Sequence, residues 1–164
     1  LEPLTINLGG SSGSLGTQED RAVFISDKKT RIAPIICYES DYGEYVTGYI
    51  KKGANLLCII TNDGWWGNTA GYKQHLQYAS LRAIETRRAI ARSANTGISC
   101  FITQRGEVLQ KTNWWEPAVI SAKLNLNYDK TFYSEHGDWI GKYAAYLAIA
   151  FLLFTYIKAK FINS

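Results

Sequence analysis

Apolar positions along this chain follow two patterns. Short unbroken runs predict buried strands, and longer stretches at helical spacing predict helices that pack on them. In the stretch RIAPIICYES, Arg31 to Ser40, the residues Ile32, Ala33, Ile35 and Ile36 do not alternate with polar ones, so the pattern predicts a strand covered on both faces that ends at Cys37. Ala22 to Ser26 precedes it as a short strand, and the charged turn Asp27-Lys28-Lys29 joins the two as a hairpin. Tyr42 to Lys52 reads as a short helix closed by Gly53, and Leu56 to Thr61 as the next apolar strand. Strand, helix and strand in that order imply a parallel crossover, which brings the loop Asn62 to Gly67 to the same sheet end as Cys37.

From Tyr72 to Ala94, the residues Tyr72, Leu76, Ala79, Ala83, Thr86, Ile90 and Ala94 share one narrow stripe at 100° per residue, which predicts a single helix. Glu85, Arg88 and Arg92 fall on its other side and read as a solvated face with a Glu85 to Arg88 pair; Glu85 and Arg92 could instead orient loops of a site. Asn95-Thr96-Gly97 then turns the chain into a strand at Ile98 to Thr103, which pairs back through Glu107 to Lys111, and Val119 to Leu124 supplies one more strand. Alternating strands and helices followed by a run of strands define a layered α/β fold. Ahead of all this, the Gly/Ser-rich stretch GGSSGSLG reads as a loop. Its match to G-x-S-x-G at Gly9, Ser11 and Gly13 lacks the helix that a nucleophile elbow requires.

The final segment changes character. Tyr143 to Ile157 is 15 residues without a charge, and the run reaches 19 counted from Trp139 with Lys142 at its margin. That length spans a bilayer core, and no polar face is left for a buried amphipathic helix. Trp139, Tyr143, Tyr146 and Tyr156 supply interfacial aromatic residues, and Lys158 and Lys160 place the carboxyl end in the cytoplasm by the positive-inside rule. The chain is thus expected to divide into a catalytic part, 1–136, and a transmembrane helix with a short tail, 137–160.

Composition narrows the function. The 164 residues contain no Met, so the sequence is expected to be a piece of a longer protein. A net charge of +4 is spread over isolated pairs such as Lys28-Lys29 and Arg87-Arg88, without the basic run of a nucleic-acid tail. Three cysteines without C-x-x-C spacing and two histidines argue against a structural zinc site. Cys58 and Cys100 lie inside apolar runs and read as core, whereas Cys37 stands where a buried strand meets a loop, at the sheet end where chemistry is usually placed. The Trp pairs 65–66 and 114–115 suit an apolar ligand or a membrane interface, or else the core.

Cys37-Tyr38-Glu39 resembles the nucleophile segment of the nitrilase superfamily, a Cys on a tight turn followed by an aromatic and an acidic residue. With Thr61-Asn62-Asp63-Gly64-Trp65-Trp66-Gly67, Gln74-His75, Arg82-Ala83-Ile84-Glu85 and Arg92 to Gly97, it looks like the membrane-embedded apolipoprotein N-acyltransferase branch. The resemblance implies part of an α-β-β-α sandwich followed by one C-terminal transmembrane helix, in a bacterial inner membrane with the catalytic part on the periplasmic side. It also implies a reaction without cofactor or metal: a phospholipid acylates Cys37, and the amine of a lipoprotein's N-terminal diacylglyceryl-cysteine takes the acyl group from the thioester. In this reading Cys37 is the nucleophile, Glu39 positions or polarises the site, and Tyr38, Trp65 and Trp66 contact lipid, while Asn62 and Asp63 shape their turn. The family's Glu base and Lys match no residue here and are expected upstream, which would leave these residues alone nearly inert. A soluble-type carbon-nitrogen hydrolase of a small amide and a non-catalytic membrane-anchored module are the alternatives.

Overall fold

The computed structural model describes residues 18–162. Six strands form one sheet in the order β1 (Phe24–Ile25), β2 (Arg31–Ile36), β3 (Leu56–Thr61), β4 (Ala89–Ala94), β5 (Cys100–Ile102) and β6 (Val108–Leu109). The central ladders β2–β3 and β3–β4 are parallel, and the outer pairings β1–β2, β4–β5 and β5–β6 are antiparallel. Helices α1 (Gly43–Lys51) and α2 (Ala70–Thr86) are the crossovers that make the central strands parallel. The expected hairpin, the first crossover and the helix closed by Gly53, whose φ is +87°, are all present. The Gly/Ser-rich stretch lies outside the described residues.

The parallel register places Ala33 beside Leu57 and Leu57 beside Ile90, with Ile35 beside Ile59 in the next layer. These side chains point to one face and are buried there with Val46, Tyr49 and Ile50 of α1 and Leu76, Ala79 and Ala83 of α2. Alanines at 79 and 83 let α2 approach the sheet closely.

The other face differs from expectation. Among the described residues no layer covers it, and Ile36 and Ile60 stand 52% and 53% exposed. The unbroken apolar run in β2 is therefore not evidence of two covered faces within this part of the chain. The described residues form one sheet with its helical layer, half of an α-β-β-α sandwich. Cys58 lies on this open face, only partly buried, whereas Cys100 is fully buried as expected.

Three further expectations change. The stripe from Tyr72 to Ala94 is not one helix: α2 stops at Thr86, Arg87 turns left-handed at φ +52°, and Ala89 to Ala94 pair with β3. The period is continuous by coincidence, because β4 alternates small and large residues that also fit a helical stripe. Arg88 and Arg92 consequently leave the solvated face. Arg88 is 1% exposed and donates to the carbonyls of Ala54, Thr86 and Asp129, while Glu85 pairs with Arg82 instead. Val119 to Leu124 joins no ladder; Val119 is in solvent, with no strand beside it to pair with.

A short helix α3 (Phe132–His136) leads through Gly137 into α4 (Trp139–Ile162). Trp139–Lys160 is long and apolar enough to cross a membrane, and none of it is buried against the described residues. Its start is tied to α1, where Glu44 accepts from the Asp138 backbone amide and from Lys142.

Candidate active site

β2 ends in a sharp turn. Ile36 is still extended, but Cys37 adopts φ +51°, a left-handed conformation that a non-glycine residue holds only at a cost of about 1–3 kcal/mol. Local side chains secure it. The Ser40 hydroxyl donates to the Cys37 carbonyl at 2.8 Å, and Glu39 Oε2 accepts from the Ile36 backbone amide at 2.8 Å. Glu39 Oε1 accepts from the Tyr45 hydroxyl of α1 at 2.7 Å, so the carboxylate braces the turn against the next helix. That hydrogen bond, with burial, raises the Tyr45 phenol above its ordinary pKa.

Behind the turn lies a buried polar network. Thr61, the last residue of β3, places its hydroxyl 3.3 Å from Cys37 Sγ and 3.1 Å from Asp63 Oδ1. Asp63 is fully buried, with its Oδ1 2.9 Å from His75 Nδ1, and its Oδ2 accepts from Arg92 Nη2 at 2.8 Å. Arg92 also donates to the Ile98 carbonyl. His75 Nε2 lies 3.1 Å from the Ser40 hydroxyl and 3.4 Å from the Cys37 carbonyl, which closes the circuit to the Cys37 turn.

Electrostatics explain why a buried carboxylate is tolerated. Burial alone would raise the Asp63 pKa, but hydrogen bonds from His75 and Arg92, together with their charges, outweigh it and hold the carboxyl below its ordinary value. Asp41 behaves oppositely: burial raises its carboxyl despite nearby His75, Arg82 and Arg92. The space for Asp63 depends on a missing side chain, since a Cβ at Gly97 would collide with its carboxylate.

The aromatic residues form one wall of the site. The Tyr38 ring stacks on His75 with centroids 5.8 Å apart and meets Trp66 at 5.9 Å. Trp66 packs partly against the core, while Trp65 is 65% exposed and so is not core among the described residues. Trp114 packs on Tyr72 with centroids 4.2 Å apart and passes the surface to the exposed Trp115.

The structure thus brings Cys37, Tyr38, Glu39 and Trp66 into one cluster, with Trp65 beside it on the exposed side. It also brings in residues that sequence reasoning left out or discounted. Asn62 does shape its turn, accepting from the Gly64 amide, but Asp63 belongs to the buried network. Thr61, Ser40 and His75 had no role assigned. His75 falls between Tyr72 and Leu76 on the buried stripe of α2, and a polar residue there was the available signal.

Chemically, the arrangement is a restrained thiol at the carboxyl end of a parallel strand, supported from behind by hydroxyl, carboxylate and imidazole groups. Residues 7–131 match the carbon-nitrogen hydrolase family model. The chain is 39% identical over 143 residues to the apolipoprotein N-acyltransferase of Chlorobaculum tepidum, covering 85% of this chain and 27% of that protein. It is 42% identical over 108 residues to the same-named protein of Bdellovibrio bacteriovorus, covering 63% of this chain and 19% of the relative. The chain therefore spans about a quarter or less of the length of these relatives. The crystal structure of a carbon-nitrogen hydrolase from Helicobacter pylori superposes with a TM-score of 0.56 at 14% identity, over 63% of this chain and 43% of that one. Because the family model matches most of this chain, with the Cys37 turn, parallel sheet and helical layer in place, the chain belongs to the carbon-nitrogen hydrolase family.

Proposed function

We propose that this chain carries the nucleophile of an N-acyltransferase. It moves a fatty acyl chain from a membrane phospholipid, through a thioester on Cys37, to the amine of a lipoprotein's N-terminal diacylglyceryl-cysteine. The observation that carries the reading is the pairing of a restrained Cys37 with α4, an apolar helix unburied by the described residues. A thiol that works on lipid needs both, and the acyltransferase relatives agree with it.

Covalent catalysis divides the transfer into two steps. The Cys37 sulfur attacks the phospholipid ester carbonyl and the lysophospholipid leaves; the acceptor amine then attacks the thioester carbonyl and the thiol is released. Glu39 is committed to Ile36 and Tyr45, so it serves the turn, and we assign the general base and the lysine that stabilises the oxyanion to residues outside those described. The 164 residues by themselves are then expected to be nearly inert. Tyr38, Trp65 and Trp66 form the lipid-contacting wall. Residues 1–136 form the catalytic part on the periplasmic face of a bacterial inner membrane, and 137–160 form the membrane helix, with Lys158 and Lys160 on the cytoplasmic side.

The matched family model favours a second reading, hydrolysis of a small amide by the same thiol. Acyl transfer in detergent micelles separates the two: the intact protein given phospholipid with a labelled acyl chain and a diacylglyceryl lipopeptide should label the lipopeptide amine. Cys37→Ala should abolish that transfer. Transfer by the variant, or release of ammonia from simple amides with no acylation of the lipopeptide, would overturn the proposal.

A further inference from the structure

The Thr61 hydroxyl has one hydrogen and two acceptors within reach, Cys37 Sγ at 3.3 Å and Asp63 Oδ1 at 3.1 Å. It cannot serve both at once. Thr61 is itself buried, its backbone is fixed by the β3–β4 ladder, and its carbonyl accepts from the Asn95 amide, so rotation about one side-chain bond is the freedom left to it.

We propose that the Thr61 hydroxyl is a switching donor that receives the Cys37 thiolate. The inference rests on reading Cys37 as the nucleophile. While the sulfur holds its proton, the S–H donates to Thr61 Oγ1 and the Thr61 hydrogen points at Asp63. When the S–H bond breaks and its proton leaves for a carboxylate base or water, the Thr61 hydroxyl rotates and donates to the negative sulfur. No Thr61 bond is broken. Asp63 can release this hydrogen because its carboxylate retains the His75 and Arg92 contacts at 2.9 and 2.8 Å. The exchange stabilises the thiolate and also aims it, since a sulfur held by Thr61 on one side presents its other side to the acyl carbonyl. By this geometry Thr61 touches the reacting atom and is a catalytic residue, whereas a hydroxyl bonded permanently to Asp63 would be a buried structural group.

The test is alkylation by iodoacetamide of the intact protein purified from membranes and first treated with hydroxylamine, which frees any Cys37 thioester, followed by mass spectrometry of the Cys37 peptide. The same protein alkylated after denaturation gives the rate of the unrestrained Cys37 thiol and serves as the control. Thr61→Val keeps the side-chain volume and removes the hydroxyl; it should slow Cys37 alkylation in the folded protein by at least about tenfold while the denatured rate and the melting temperature hold. Thr61→Ser should return the Cys37 rate to within about threefold of the parent. If Thr61→Val melts early, Thr61→Ala replaces it, and the same slowing is required in the variant that melts normally. A Cys37 rate in the folded variant equal to that of the parent overturns the proposal, as does failure of Thr61→Ser to restore it. Alkylation needs no lipid substrate, so this outcome is independent of whether acyl transfer itself is found.

Discussion

Arg92→Leu is the perturbation whose size follows most directly from the structure. Its guanidinium and the Asp63 carboxylate are both without solvent exposure and meet at 2.8 Å. Removing one partner of a buried pair leaves the other charged and uncompensated, which typically costs about 3–5 kcal/mol. His75 still contacts Asp63, so we expect the lower end, about 3 kcal/mol, a fall of about 6–12 °C in melting temperature for a unit of this size. The pH dependence has a definite sign. The Asp63 pKa is depressed in the folded state, so its contribution is full above the ordinary carboxylate value near about 3.9 and is lost as pH falls through the lower folded value. Without Arg92 burial pushes that carboxyl up, so protonation relieves the uncompensated charge and the stability gap between variant and parent should narrow as pH falls through the acid range. Thermal melting of the detergent-solubilised intact protein across the acid range measures both effects. A variant that melts within about 2 °C of the parent at neutral pH would refute the view of Asp63 and Arg92 as a buried, mutually dependent pair.

Gly97→Ala places a methyl group against the Asp63 carboxylate and should cost about 1–3 kcal/mol, read by the same melting experiment. Arg88→Ala strands the buried carbonyls of Ala54 and Thr86, each lost partner costing about 1–3 kcal/mol, and also loses its contact with Asp129, so it should destabilise strongly; a change within about 0.5 kcal/mol would contradict the buried role. Trp65→Ala removes an exposed ring and should leave the melting temperature within about 2 °C while the apparent KM for phospholipid rises severalfold. Parallel loss of stability and activity would assign Trp65 to packing instead.

The pairing of β1, β2 and β3 and the place of Cys37 were legible because β2 and β3 are written in apolar runs that end in polar turns, and crossover logic brings their ends together. Two features were hidden. The chain break after α2 carries no glycine or proline; Arg87 makes the left-handed turn, and Ala-Ile-Ala-Arg in β4 satisfies helical and strand periods alike. The solvated-face reading of Arg88 and Arg92 failed for the same reason, since their burial follows from that break, whereas the alternative that Arg92 orients a loop of the site fits its contact with Asp63. The polar network was hidden for another cause: Thr61, Asp63, His75 and Arg92 come from three separate elements and a loop, and each alone has an ordinary reading. The open face of β2 and β3 was also illegible, because an apolar run records that a face is to be covered without recording what covers it.

The central claim, that Cys37 carries a lipid-derived acyl group, is tested most directly on the intact protein. Isolated from membranes, its Cys37 peptide should show by mass spectrometry a fatty acyl adduct that hydroxylamine removes and that reappears on incubation with phospholipid. An unmodified Cys37 thiol under both conditions would contradict the account.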